Sequence, residues 1–286
     1  MNPGIFAEFM KRRGFTVRKM GGLYCYSVNR FMWQTFPYHK AIEPTKEDLR
    51  EAFRASGPVG IRFTVPVSAP GKDSYYVACA DKNYYMKGFS QNFRHNTKRG
   101  IARCRVERVD FDFLYDKGQV LQVDTLVRQG RDTGIFDLKK WRAYCTAAKE
   151  LPGFEAWGSF VEDELTAFLV TFKMDECMVY ILQRSLKKHL SSYPNNAITH
   201  VVTKDALSRP DVDIVSYGLK SLHAPESLDD YKIGMGFVKM PVRERVAINP
   251  LYRPVFNGFT GALLSRLARN RDSEAWKKMS AMLELI

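Results

Sequence analysis

The chain has 286 residues, 45 % hydrophobic and 13 % aromatic, enough for a packed core in one large domain or two small ones. Its 44 Lys and Arg outnumber its 31 Asp and Glu, giving a formal net charge of +13; this favours an anionic partner (nucleotide phosphates, coenzyme A, tRNA, a sugar nucleotide or an anionic lipid surface) without choosing among them. Composition excludes a disordered chain. Cys25, Cys79, Cys104, Cys145 and Cys177 are scattered with no C-x-x-C pair, which excludes a zinc ribbon or disulfide framework and fits a reducing, cytoplasmic setting. No apolar run approaches the ~20 residues of a membrane helix, Met1 to Phe15 lacks the apolar stretch of a signal peptide, and no metal site is indicated.

In chain order, Pro3 to Arg13 reads as a short helix and Gly22 to Tyr38 as an aromatic-rich β stretch. Thr45 to Ala55 reads as a helix that Thr45 caps, with Glu47, Asp48 and Glu51 suited to its positive end. Val59 to Val67 and Ser74 to Ala80 flank a turn-rich segment and predict a hairpin. Ser90 starts a helix over Gln91 to Cys104, whose spacing puts Phe93, Thr97, Ile101 and Cys104 on the inward side. Arg94, His95, Lys98, Arg99 and Arg103 occupy its other faces. Arg105 to Asp112 predicts a strand; Gly118 to Gln129 and Leu138 to Lys149 predict helices.

The second half changes rhythm. Ala156 to Phe172 predicts a hairpin turning at Glu162-Asp163-Glu164, and Met178 to Gln183 a further strand. A polar loop, Arg184 to Ser192, leads to a helix with Pro194 in its first turn. Asp213 to Tyr217 and Val242 to Ile248 predict strands, Glu226 to Ile233 a short helix, and Phe259 to Ile286 a helical, partly basic tail. This alternation predicts an α/β fold, a mixed sheet with helices on its faces. A soft boundary between Gly134 and Pro152 divides it into lobes 1–140 and 141–286.

The order of elements in the second half is similar to that of the GNAT acyltransferase fold. The segment Tyr231-Lys232-Ile233-Gly234-Met235-Gly236-Phe237 resembles the aromatic-Lys-x-x-x-Gly-Phe signature near the end of Fem-like GNAT proteins, which include the peptidoglycan-bridge aminoacyltransferases. Ser90 to Arg103 resembles the basic helix of their first lobe, and Tyr193-Pro194-Asn195-Asn196 stands where they begin the helix after the central strand. The likeness spans roughly Ser90 to Pro250. It implies two GNAT-like lobes, the second more complete, and an N-acyltransferase that moves an acyl or aminoacyl group from acyl-CoA (acetyl-CoA among them) or aminoacyl-tRNA to an amine acceptor. One departure stands out. Gln183-Arg184-Ser185-Leu186-Lys187-Lys188-His189 has no glycine where many acetyl-CoA-dependent members carry a glycine loop for the pyrophosphate.

The resemblance marks Lys232 as a group that stabilises negative charge developing at the acyl carbon, a sound role for a cation. The helix start at Pro194 is a potential anion site; Asn195 and Asn196 open that helix, and Arg184, Lys187 and Lys188 lie just upstream to assist in donor binding. Arg94, Lys98 and Arg99 are candidates to hold an anionic acceptor or a tRNA backbone. For proton removal the candidates are Glu162, Glu164, His200, His223 and, first among them, Tyr217 at a strand end; His200 reads rather as a satisfied structural histidine. Three classes stay open: an acyltransferase, a binding module that kept the fold without turnover, and a basic tRNA- or nucleic-acid-binding protein.

Overall fold

A computed structural model describes residues 2–54, 57–130, 137–220 and 226–252. The tail from Phe259, His223 and Gly134 at the expected boundary fall outside them. Chain contacts divide the molecule into two compact units, each discontinuous in sequence.

The first unit comprises Met1–Arg13, Val77–Tyr217 and Ser227–Val238. It holds helices α1 (Pro3–Arg12), α3 (Gln91–Arg103), α4 (Phe111–Arg128), α5 (Leu138–Glu150), α6 (Pro194–Ser208) and, in large part, α7 (Glu226–Gly234). Its strands are β6 (Arg105–Val109), β7 (Phe154–Val161), β8 (Glu164–Met174), β9 (Cys177–Ser185) and the start of β10 (Ile214–Leu219), in the order β10-β9-β8-β7-β6. β6 to β9 run antiparallel to their neighbours and β10 runs parallel to β9. The long central strand β8 is buried almost throughout, with Phe168, Leu169 and Phe172 wholly enclosed. α6 lays Ala197, Ile198, Val202 and Ala206 into the core, while Phe6 and Phe9 of α1 meet Phe172 and Phe154 in a ring cluster. The expected strand through Asp112 is shorter than its sequence suggests. Asp110 accepts a hydrogen bond from the Phe113 N–H at 2.6 Å and so caps α4, which starts at Phe111.

The second unit holds β1 (Val17–Met20), β2 (Leu23–Ser27), β3 (Met32–Phe36), α2 (Lys46–Ala52), β4 (Gly60–Val65), the first part of β5 (Lys72–Cys79) and most of β11 (Val238–Ile248). β1, β2 and β3 form an antiparallel meander, β4 joins parallel to β3, and β11 pairs antiparallel with β4. α2 begins in a capping box between Thr45 and Asp48. Ala52 and Phe53 close the core against Met20, Cys25, Trp33, Ile61, Phe63 and Val65.

The expected β4–β5 hairpin does not form, because β11 lies between the two strands. Turn residues fix that the chain reverses, but a strand more than 170 positions later supplies the partner: Arg243 pairs with Val65 and Glu244 with Thr64. Gly71 permits this insertion, since an added Cβ would come within 2.9 Å of the Glu244 carbonyl oxygen. A buried ion pair fastens β11. Arg62 donates through Nε and Nη2 to Glu244, each at 2.7 Å, and the Ser74 hydroxyl donates to the same carboxylate at 2.8 Å. Only 6 % of the Arg62 side chain and 1 % of the Glu244 side chain are exposed.

Arg62→Ala leaves Glu244 buried and unpaired, so it should lower the unfolding free energy by about 3–5 kcal/mol in urea titrations, whereas Arg62→Met with Glu244→Leu should cost much less.

Candidate active site

The site begins where two parallel strands separate. β10 pairs with β9 at Ile214↔Cys177, Val215↔Met178 and Ser216↔Val179. Beyond this point β9 runs on to Ser185 and β10 to Leu219 without pairing to each other. A bulge lies at the divergence: Val170 faces Leu182 and Thr171 faces Tyr180, so Ile181 is an extra residue in β9. An inserted residue bends the strand and increases its twist, and the carboxyl ends of parallel strands are a recurrent place for ligands.

Side chains span the gap that the backbones leave. The Tyr217 hydroxyl on β10 donates to the Gln183 amide oxygen on β9 at 3.2 Å. The Gln183 amide donates to Asn195 Oδ1 at 3.3 Å and to Thr199 Oγ1 at 3.2 Å, both on α6. Thr199 Oγ1 also lies 3.1 Å from the Tyr217 hydroxyl and 3.0 Å from the Tyr231 hydroxyl of α7. Tyr231 donates to the Asn195 carbonyl at 2.9 Å. Below this layer the Tyr180 and Thr203 hydroxyls are 2.7 Å apart. Burial drives the Tyr217 phenol well above its ordinary pKa, and the neighbouring phenols add to the effect. Burial likewise pushes Tyr231 up to about 12, against the hydrogen bond from Thr199. Tyr217 therefore stays neutral and serves as a hydrogen-bond donor, a poor base at neutral pH.

Close packing delivers α7 to this cluster. Gly234 lies against the Phe93 ring of α3, where any Cβ would clash. Gly236, at φ +85°, turns the chain into the left-handed region that glycine tolerates. The buried Tyr84 hydroxyl donates to the Met235 carbonyl at 2.9 Å, and Phe237 packs its ring 4.9 Å from that of Tyr217. This places Lys232 with its ammonium 5.7 Å from the Tyr217 ring centroid and 2.9 Å from the Asp229 carboxylate. The lysine side chain is only 14 % exposed.

The structure brings Lys232, Tyr217 and Asn195 together and disperses the other named residues. Arg184 turns towards α4, donating to Gln122 at 2.7 Å. Lys188 pairs with Glu164 at 2.6 Å. Lys187 is exposed, its N–H bound to Asp124 at 2.9 Å, and Asn196 is buried beside the Met235 sulfur. Arg94 and Lys98 share the exposed face of α3, where Gln91, Asn92, Arg94, His95, Asn96 and Lys98 line an open depression. Arg99 instead lies over the Tyr193 ring at 5.2 Å. The inward side of α3 differs from its apolar pattern: Ile101 is 41 % exposed, while Thr97 and Gly100 are buried. The reason is Gly100. A Cβ there would come within 2.7 Å of the Tyr193 carbonyl oxygen and 3.3 Å of the Ala197 nitrogen, so α3 packs directly over the start of α6.

Gln183, Thr199, Tyr231 and Asp229 carry the site without having been assigned roles from sequence. One signal existed for α6: Asn195, Thr199 and Thr203 recur every four residues on a largely buried helix.

No family model matches the chain, and no curated protein matches it in sequence. Solved structures do resemble it. FemX superposes with a TM-score of 0.62 at 12 % identity, covering 88 % of this chain and 93 % of FemX. The C-terminal domain of a protein described as a lysylphosphatidylglycerol synthetase from Agrobacterium fabrum gives 0.55 at 12 % identity, over 86 % of this chain and 88 % of that one. L-PGS from Bacillus licheniformis gives 0.51 at 11 % identity, over 95 % and 98 %. The fold is thus similar to that of FemX; at such identities the likeness speaks for the fold alone. Among the described residues no helix is long and apolar enough to cross a membrane.

His200 departs from the expected satisfied histidine. It is buried between the rings of Tyr84 and Phe89, at centroid distances of 5.6 and 5.7 Å, and its Nδ1 finds no hydrogen-bond partner among the described residues. Burial, reinforced by Lys204, depresses its pKa from 6.5 to about 4. The unfolded chain then binds a proton that the folded one resists, so this contribution to stability is whole above about pH 6.5 and is lost as pH falls towards 4. Thermal melts across that window should show a smaller loss of midpoint for His200→Phe than for the unaltered protein.

Proposed function

We propose that this chain is an acyltransferase that moves an aminoacyl or acyl group from an activated ester to an amine. The observation that carries the reading is Lys232. An ammonium has three donors, and among the described residues this one, largely buried at the parting of β9 and β10, has Asp229 as its single hydrogen-bond acceptor. Its remaining donors suit an oxygen that gains negative charge.

The reaction follows. The amine lone pair forms a bond to the acyl carbon, and the carbonyl π pair moves to its oxygen beside Lys232. Collapse of that oxyanion restores the carbonyl and breaks the ester C–O bond, and one amine proton ends on the leaving oxygen. Asp229 keeps the ammonium in place, while the neutral phenols provide a polar lining without competing charge.

An ester of tRNA is favoured over a coenzyme A thioester as donor. Gly100 of α3 packs against Tyr193 and Ala197 at the helix start, narrowing the room for a pyrophosphate there, and no glycine occurs from Gln183 to Ser192. The structural neighbour described as a lysylphosphatidylglycerol synthetase supports an aminoacyl group as the unit moved. Arg94 and Lys98, on a helix without a carboxylate from Gln91 to Arg103, would meet the phosphates.

The test is transfer from tRNAs charged with single radiolabelled amino acids, with acetyl-CoA in parallel, to a panel of amines at low salt. Lys232→Gln keeps a donor for Asp229 but removes the charge, so it should reduce turnover by about 10²–10³-fold with little change in melting temperature. Equal turnover would exclude the role given to Lys232. Product from acetyl-CoA alone would reverse the donor assignment, and no product from any pair would favour a binding module that kept the fold.

A further inference from the structure

Helix α4 is apolar on two opposite sides. Leu114, Gly118, Leu121 and Thr125 recur at helical spacing and are buried in the core. On the far side stand Val120, Val123 and Val127, at i, i+3 and i+7, exposed to 60, 37 and 62 %. With 3.6 residues per turn this second stripe points away from the first. Valine does nothing for the helix itself at such positions, because its branched side chain loses rotamer freedom there. A helix with apolar residues on both sides is normally covered on both.

The rim of the stripe decides what can cover it. Asp116 and Lys117 stand before the valines, Asp124 beside them and Arg128 after them. Two carboxylates thus balance two cations, in a chain whose net charge is +13. The face lacks the cationic excess that an anionic bilayer or a nucleic acid requires. It suits a partner that carries both signs in reverse order, and a second copy of α4, run antiparallel, does so.

The stripe has the alternating three- and four-residue spacing of helices that pack side by side. A two-fold axis between Leu121 and Gln122 sets Val120 of each copy opposite Val123 of the other. Lys117 and Asp124 lie seven residues apart on one flank of the stripe. The same axis brings Lys117 of each copy towards Asp124 of the other, giving two ion pairs by symmetry. Among the described residues Lys117 makes no ion pair, and the Asp124 carboxylate accepts only the Lys187 N–H, at 2.9 Å.

We infer that α4 is the contact of a weak, antiparallel two-fold dimer of this chain, with the valines at its centre and the Lys117–Asp124 pairs on its flanks. Sedimentation equilibrium of the full chain, over a range from about 1 to about 300 µM, should show a reversible monomer–dimer equilibrium with a dissociation constant of about 10–100 µM, the weak end that so small a contact allows. Val120→Gln with Val127→Gln removes apolar contact and should weaken the dimer at least about 10-fold. Glutamine is the better helix former, so the melting temperature should not fall. Lys117→Asp alone, or Asp124→Lys alone, sets like charges opposite each other and should weaken self-association about 3- to 10-fold. Mixing these two variants restores opposite charges at both pairs, so the mixture should form a heterodimer more readily than either variant forms its homodimer. A chain that stays monomeric across the range overturns the dimer. So does self-association indifferent to the glutamine pair, or a mixture that associates no better than its components. Vesicles of phosphatidylcholine and phosphatidylglycerol test the rival occupant: binding that the glutamine pair abolishes, in a chain that stays monomeric, gives the face to a bilayer and overturns the dimer.

Discussion

The separation of β9 from β10 is the constraint on which the site depends. Three residue pairs join these parallel strands, and then their ladder stops. Unpaired backbone groups inside a protein are costly, so a parting of this kind persists only when something imposes it and something else fills it. The bulge at Ile181 bends one strand. Gln183, Thr199 and Tyr217 fill the opening with side-chain hydrogen bonds in place of backbone ones.

Filling the gap with phenols and amides has an electrostatic consequence. The chain as a whole is strongly basic, yet its candidate site is nearly neutral. Burial holds Tyr217 and Tyr231 in their protonated forms, and Lys232 and Asp229 form an adjacent ion pair. An excess of cations in the site itself would bind any anion. A single ammonium, oriented by a carboxylate and standing on an aromatic face, responds instead to charge that appears at one position. The basic residues of α3 stay apart on an exposed face, suited to long-range attraction rather than to chemistry.

Much of the fold was legible because it rests on local rules. Asp48 completes the Thr45 capping box, Pro194 starts α6, and the turn at Glu162 reverses β7 into β8 with Glu162 at φ 53°. Two misreadings share one cause, partners distant in sequence. Local turn chemistry predicts that β4 and β5 pair, but the Arg62–Glu244 bridge selects β11 between them. Apolar spacing predicts an inward Ile101, but the approach of α6 selects Gly100 for that contact. The site was legible in part. The resemblance around Tyr231 to Phe237 drew attention to Lys232. Thr199 offered only its place in a four-residue recurrence on α6, because one hydroxyl gains meaning only from the two phenols and the amide that converge on it.

Sequence by itself determined the class of fold, the positions of most helices and strands, the basic charge and the α7 segment that carries the lysine. The first three follow from periodicity, caps and composition, which act over a few residues; the α7 segment was marked by its resemblance to the Fem-like signature. Tertiary structure alone decided that β11 intervenes between β4 and β5, that α3 closes over the start of α6, and that Gln183, Thr199, Tyr217 and Tyr231 share one hydrogen-bonded cluster. Each of those outcomes is a contact between segments far apart along the chain, and its energy depends on distances and burial that exist only once the chain has folded.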